Sequence, residues 1–334
     1  MNRTFFNKER PFPLLIESLN ELTEPTAWVK KHRTSIEIDL LNYGAILFRG
    51  FKRLTVSEFE NFVITAGGEL MEYCERSSPR QSVSGRIYTS TEYSSSQSIF
   101  PHNENSYANV WPMKIFFYCE TPSESGGETP IVDVRRVYTR LPVSVRDKFS
   151  RLGVLYIRNF GNRLGLPWQI VFQTEKPAEV ETYCQNAGYQ YAWNNDKCLK
   201  IRHRGEAIIK HPRTGENLWF NHAAFFHVTT LAAEIRNVLI AQLAEEELPN
   251  NTYYGDGSLI EPSVLTIIRA TYLAEAVSFE WRTGDILMLD NMLTAHGRTP
   301  YSGIRKILVG MTEPFESRNA IVPGEKDDKR ANRD

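Results

Sequence analysis

The sequence predicts a mainly β (α+β) fold: a β-barrel or sandwich core with helices on its outside. Three observations lead there. Short apolar runs recur along the chain with turn signals between them. The helical patterns cluster apart from those runs instead of alternating with them. The residues with the most chemical promise, His102, Glu104 and His296, are far apart in sequence, and a barrel can bring distant strands to one mouth.

The elements follow in order. Residues 1–24 are mixed in composition and contain prolines, and are expected to wrap the surface. Residues 26–41 read as a helix. Residues 44–49 are a short apolar run closed by Gly50, hence a buried strand. Thr55 with Glu58 three positions later is a capping-box pattern that opens a second helix, and Gly67 and Gly68 end it. Residues 74–98 are rich in Ser, Thr and Arg and read as a loop leading to His102. Residues 114–119 form a strongly apolar strand, and the turn at Gly126-Gly127 leads to another at 131–133. A helix broken at Pro142 covers 135–150, and 153–160 is a strand.

Residues 161–188 hold a turn and two short helices, the second at 177–186. Strand-like runs follow at 189–193, 199–203, 207–210 and 218–221, with a turn at 212–215. Residues 231–248 and 262–276 read as helices. Strands close the chain at 277–281, 286–289, 294–298 and 306–312. From Glu316 the chain is charged and poor in apolar residues. The expected organisation is one domain over residues 1–315 and a flexible charged tail over 316–334.

Composition limits the function. Hydrophobic residues at 41% and aromatics at 12% suit a globular core. With 39 basic and 40 acidic residues the net charge is -1, which gives no reason to expect nucleic acid as a partner. Cys74, Cys119, Cys184 and Cys198 contain no CxxC pair and are expected to be reduced thiols in a cytoplasmic protein. The N-terminus lacks the apolar core of a signal peptide, and no apolar run is long enough to span a membrane.

The stretch Pro101-His102-Asn103-Glu104 carries the chemistry. Proline disfavours the α region for the residue before it, so the segment is expected to be extended. In a strand, residues i and i+2 share a face, which would aim His102 and Glu104 at one object. An imidazole and a carboxylate are two-thirds of the facial triad that suits non-haem iron(II). Alone the pair is a weak signal, because such triplets arise by chance. His296 strengthens it. It follows a tight turn and a buried strand, and the chain then reverses through Pro300 and Gly303 toward Arg305. A guanidinium pointing into a barrel needs an anion, and a bidentate arginine suits a carboxylate. A metal beside such a clamp fits a chelating 2-oxo acid.

The remaining histidines read as structural. His32 is expected on the surface, His203 and His211 as a surface pair flanking a turn, and His222 and His227 as satisfied, partly buried side chains. In the loop before the first ligand, Arg80 is the candidate for a substrate carboxylate, and Asn105 for a polar substrate contact.

The chain resembles the TauD/TfdA-type iron(II)/2-oxoglutarate-dependent oxygenases, and more closely their SyrP-like, clavaminate-synthase-like branch. The stretches that carry the resemblance are PHNENSY, KIFFYCETPSESGGETPIVD, NFGNRLGLPWQIVFQTE, WFNHAAFFH and WRTGDILMLDNMLTAHGRTPYSGIRKI, in family order. The resemblance implies a double-stranded β-helix, or jelly-roll, core. It implies Fe(II) held by His102, Glu104 and His296, with 2-oxoglutarate held by Arg305 and Thr129 and with O2 as co-substrate. It also implies hydroxylation of an amino acid, free or tethered to a carrier protein, in natural-product biosynthesis, with succinate and carbon dioxide as co-products. Most of the wider family has aspartate where this chain has Glu104, but glutamate recurs in this branch. A carboxylate there argues against halogenation. Desaturation, cyclisation or epimerisation with the same cofactors, or a non-catalytic metal-binding jelly-roll, are the alternatives.

Overall fold

The run at 114–119 lies inside the strand Val110–Thr121. It is apolar on both faces because both faces are covered. Ile115, Phe117 and Cys119 belong to one core cluster, while Phe116 and Tyr118 belong to another that includes Val29, Ile36, Phe59 and Phe62 from two helices. Those helices are Pro25–Tyr43 and Val56–Gly67. The second begins with the expected capping box at Thr55 and Glu58. Gly67 ends it where the chain needs to be thin: a Cβ there would lie 2.8 Å from the Phe116 ring.

This computed structural model describes residues 1–7, 11–72, 75, 82–90, 93–161, 165–194 and 198–317. Among them, the main sheet has eight strands. Val110–Thr121 is at its centre, antiparallel to Ile286–Asp290 on one side and to Lys306–Glu316 on the other. A three-stranded sheet faces it, with Thr294–Arg298 between Ile99–His102 and Ile131–Asp133. Phe117 of the large sheet meets His296 of the small one, with ring centroids 5.0 Å apart. These two sheets make the jelly-roll. Between Asp133 and Ile286, before the chain returns to the main sheet, it builds a lobe that contains a four-stranded sheet of Gln190–Trp193, Leu199–Gly205, Val154–Phe160 and Asn250–Tyr254.

Several expectations need correction. Residues 1–24 do not merely wrap the surface. Asn2–Asn7 and Phe12–Glu17 extend the main sheet, the latter parallel to Ala45–Arg49. Pro11 precedes that strand and Pro13 is its second residue, and they hide it, since proline usually marks a sheet edge or a loop. Residues 74–98 include two short strands, Ser82–Ser84 and Ile87–Thr89. Residues 277–281 alternate as a strand would, and Val277, Phe279 and Trp281 are buried. Yet only one isolated bridge forms, between Val277 and Ile131. The helix expected over 231–248 is shorter, Ala233–Gln242. His203 and His211 are not a surface pair. They are 6% and 1% exposed, the first bonded to the Tyr107 carbonyl at 2.6 Å and the second to Asp290 at 3.2 Å. The tail beyond Ser317 lies outside the described residues.

Candidate metal centre

His102 ends the strand Ile99–His102, and His296 stands directly opposite it in the antiparallel register. Gly297, the next residue, has no room for a side chain: a Cβ would come within 2.5 Å of the Ile99 carbonyl oxygen. Glu104 arrives differently from the expectation. The strand stops at His102, so Glu104 is not two places along an extended segment but in the turn that follows. Asn291 holds that turn. Its Oδ1 accepts from the Glu104 N–H at 2.8 Å, and its Nδ2 donates to the carbonyls of Glu104 and Pro112, each at 2.9 Å. Asn103 Nδ2 donates to the Asn291 carbonyl at 2.6 Å.

The result brings one ligand atom each from His102, Glu104 and His296 within 4.8 Å of one another. His296 Nε2 is 3.9 Å from Glu104 Oε2. All three residues are buried. Nδ1 of His102 bonds to the Phe100 carbonyl at 2.9 Å, which makes it the protonated nitrogen and leaves the Nε2 lone pair for a ligand role. Phe225 stacks on the His102 ring at 4.4 Å. Two imidazoles and one carboxylate at this spacing, in an apolar surround, fit a single divalent cation with open positions.

Beside them is a narrow cavity lined by His102, His296, Thr129, Arg305, Ser90 and Phe117, among others. Arg305 donates to the Gly127 carbonyl at 2.9 Å, to Ser90 Oγ at 3.2 Å and to Thr129 Oγ1 at 3.5 Å. These partners are all neutral. Burial first, and the nearby Arg298 second, lower the Arg305 guanidinium to about 10. It is therefore still a cation at neutral pH. Trp281 Nε1 donates to Thr129 Oγ1 at 3.0 Å. Arg298 also lines the cavity, and its Nη2 donates to the carbonyls of Ser94 and Gln97 at 2.6 and 2.9 Å.

Of the substrate candidates, Asn105 is buried with φ +55°, and its Oδ1 accepts from the Tyr107 hydroxyl at 3.3 Å. It lines a separate cavity of about 470 Å³ with Glu75 and Tyr183. Arg80 lies outside the described residues.

Sequence reasoning missed three groups at the centre. Asn291 was visible only as a polar strand end. His222 is fully buried, bonds Ser106 at 2.6 Å and sits edge-on to His102, with centroids 5.8 Å apart. Burial, then the charges of His102 and Arg158, hold it well below the usual histidine range. Phe225 gave no signal beyond its place in the run Phe225-Phe226.

Residues 13–312 match the model of the taurine catabolism dioxygenase TauD, TfdA family. The chain belongs to the TauD/TfdA family. It is 38% identical over 271 residues to the dapdiamide synthesis protein DdaC of Enterobacter agglomerans, covering 81% of this chain and 82% of that one. It is 27% identical over 326 residues to a clavaminate synthase-like protein of Arabidopsis thaliana, covering 91% and 94%. PvcB of Pseudomonas aeruginosa shares the TauD/TfdA fold with it at a TM-score of 0.53 and 14% identity, covering 90% and 85% of the two chains. AAD-2, solved with Mn(II) and N-oxalylglycine, does so at 0.55 and 12%, covering 95% and 99%. As a TauD/TfdA-family member the chain is a non-haem iron(II)/2-oxoglutarate-dependent oxygenase that uses dioxygen. No helix among the described residues is long and apolar enough to cross a membrane.

Proposed function

We propose that this oxygenase hydroxylates an unactivated C–H bond of an amino acid, free or tethered to a carrier protein, in natural-product biosynthesis. His102, Glu104 and His296 hold the iron. Arg305 takes the distal carboxylate of 2-oxoglutarate, with Thr129 beside it. The observation that carries this reading is one cavity lined by two of the triad residues and by a buried guanidinium whose hydrogen-bond partners are all neutral. A buried cation in that state is matched by an incoming carboxylate. Thr129 Oγ1 already accepts from Trp281 and Arg305, so its own proton is free to point at the same anion.

Bound iron supplies the activation of dioxygen, coupled to oxidative loss of carbon dioxide from 2-oxoglutarate to give succinate. The chain's own residues orient the co-substrate and keep water from the reacting carbon. Phe117 and Phe225 pack against the two ligand imidazoles for that purpose. Asn105 is the proposed substrate contact within the described residues, and Arg80 the proposed clamp for a substrate carboxylate. The identity with a dapdiamide synthesis protein supports a biosynthetic role and a small-molecule substrate. Cys119 and Cys184 are buried free thiols, which fits the cytoplasm. In this reading residues 1–315 are one domain and 316–334 a tail.

The test supplies Fe(II), 2-oxoglutarate and a panel of amino acids, free and carrier-loaded, and measures succinate and product mass. Hydroxylation adds one oxygen. A loss of two hydrogens instead assigns the chain to desaturation or ring closure. No succinate above background with any of them overturns the amino-acid reading.

A further inference from the structure

A second charged group is buried near the metal centre, and the chemistry above does not use it. Arg158, on the strand Val154–Phe160 of the inserted lobe, donates to Glu75 Oε1 at 2.7 Å, and both side chains are 2% exposed. The Tyr183 hydroxyl donates to Glu75 Oε2 at 2.7 Å. The Tyr107 hydroxyl donates to the Glu75 backbone carbonyl at 2.5 Å, and Glu75 sits at φ +53°. The guanidinium lies 4.6 Å over the Tyr107 ring and 4.8 Å over that of Phe160.

Tyr107 links this pair to the metal ligands. It is three residues beyond Glu104, in the same turn. Its hydroxyl also reaches Asn105 Oδ1, its carbonyl accepts from His203, and its ring packs on His222 at 4.8 Å. His222 in turn bonds Ser106 and abuts His102. The turn that presents Glu104 is therefore held from one side by Asn291 and from the other by Tyr107. Tyr107 is itself held by the Glu75 backbone carbonyl and by the Arg158 guanidinium over its ring, and Arg158 is bonded to the Glu75 side chain.

Stability alone does not account for such a pair. Taking both charges out of water offsets most of their attraction, and well-packed neutral residues hold a fold as well. We propose that Glu75 and Arg158 are positioning residues for the metal ligand Glu104, fixing Tyr107 so that the turn at 103–107 keeps its carboxylate aimed at the ion. This rests on the reading of His102, Glu104 and His296 as the metal site.

The experiment compares Glu75→Gln, Arg158→Met and the double variant E75Q/R158M by thermal unfolding and by anaerobic titration with ferrous ion. His102→Ala is the control. Each single change breaks the buried ion pair from one side, so both singles melt lower, and the double variant recovers most of that loss. Ferrous affinity falls roughly tenfold in all three, the double included, as expected for loss of a group that orients a ligand. If the singles do not fold, the double variant carries the test. A double variant that regains wild-type affinity along with its melting temperature overturns the inference and makes the pair merely structural. Singles that fold and bind the ion like wild type also overturn it. An ion that wild type and His102→Ala bind equally overturns the site reading itself, and this inference with it.

Discussion

Asn291 and Glu104, 187 residues apart, hold each other through reciprocal hydrogen bonds: the Glu104 N–H donates to Asn291 Oδ1 at 2.8 Å, and Asn291 Nδ2 returns one to the Glu104 carbonyl at 2.9 Å. A side-chain amide thus reinforces a turn that the local backbone closes only through Ser106 N–H to the Asn103 carbonyl at 3.3 Å and Ala108 N–H to the Asn105 carbonyl at 2.8 Å. Asn291→Ala leaves the Glu104 N–H and two carbonyls buried without this partner. At about 1–3 kcal/mol for each unsatisfied group, the expected loss is about 3 kcal/mol or more. Chemical denaturation measures it, and ferrous affinity should fall in the same variant.

His102→Ala and His296→Ala should each reduce succinate formation to background and abolish stoichiometric ferrous binding. Neither ring carries the core, so both variants should remain folded by circular dichroism. Undiminished turnover in either one sinks the proposed ligand set.

In the proposed role of Arg305, Arg305→Gln removes a charge-assisted contact to the co-substrate. Such contacts contribute about 1.5–3 kcal/mol, so KM for 2-oxoglutarate should rise roughly ten- to a hundredfold. The wild-type pH profile tests the same residue. Burial lowers its guanidinium to about 10, so the free enzyme loses this positive charge as pH climbs through that value. Because kcat/KM for 2-oxoglutarate reports the free enzyme, it should hold between pH 7 and 9 and decline above 10. A profile still flat at pH 11 means that the guanidinium keeps its proton there, and Arg305→Gln then carries the test alone. The effect on stability has the opposite sign. A cation lowered in the folded state disfavours folding while charged, and that penalty lifts between about 10 and the unfolded value of 12.5.

His203 predicts acid sensitivity. Burial drives its imidazole down to about 3, so it stays neutral when folded and takes up a proton on unfolding. Between about 3 and 6.5 the unfolded chain binds more protons, and stability therefore drops as pH falls through that window. From pH 6.5 to 5 this one residue should account for about 2 kcal/mol. Unfolding free energies at pH 7 and 5 measure the slope, and His203→Gln should flatten part of it.

Much of this was legible in the sequence, for reasons that differ by residue. The strands at 114–119 and 286–289 declare themselves because a strand buried on both faces is apolar along nearly all of its length. Arg305 was legible because a cation there needs a counter-charge. His102 and Glu104 were found by an argument that was half right: the pair meets His296, yet Glu104 gets there through a turn, not a strand. That turn depends on Asn291, and no local pattern announces a partner so distant. His203 and His211 read as surface residues because they flank a turn, and their burial comes from elements that only the fold brings over them. The same holds for Glu75, whose surroundings in sequence are an unpatterned loop and whose partner is on another strand.

The pairing of His102 with His296 also sets an order of events at the ribosome. The first imidazole emerges early, but the strand that carries its counterpart also lies between the two other strands of the small sheet. A nascent or truncated polypeptide ending before residue 294 therefore has neither that sheet nor the three-donor cup. On the proposed ligand set, a ferrous ion gains its third donor only once residue 296 has been made, when translation is nearly finished.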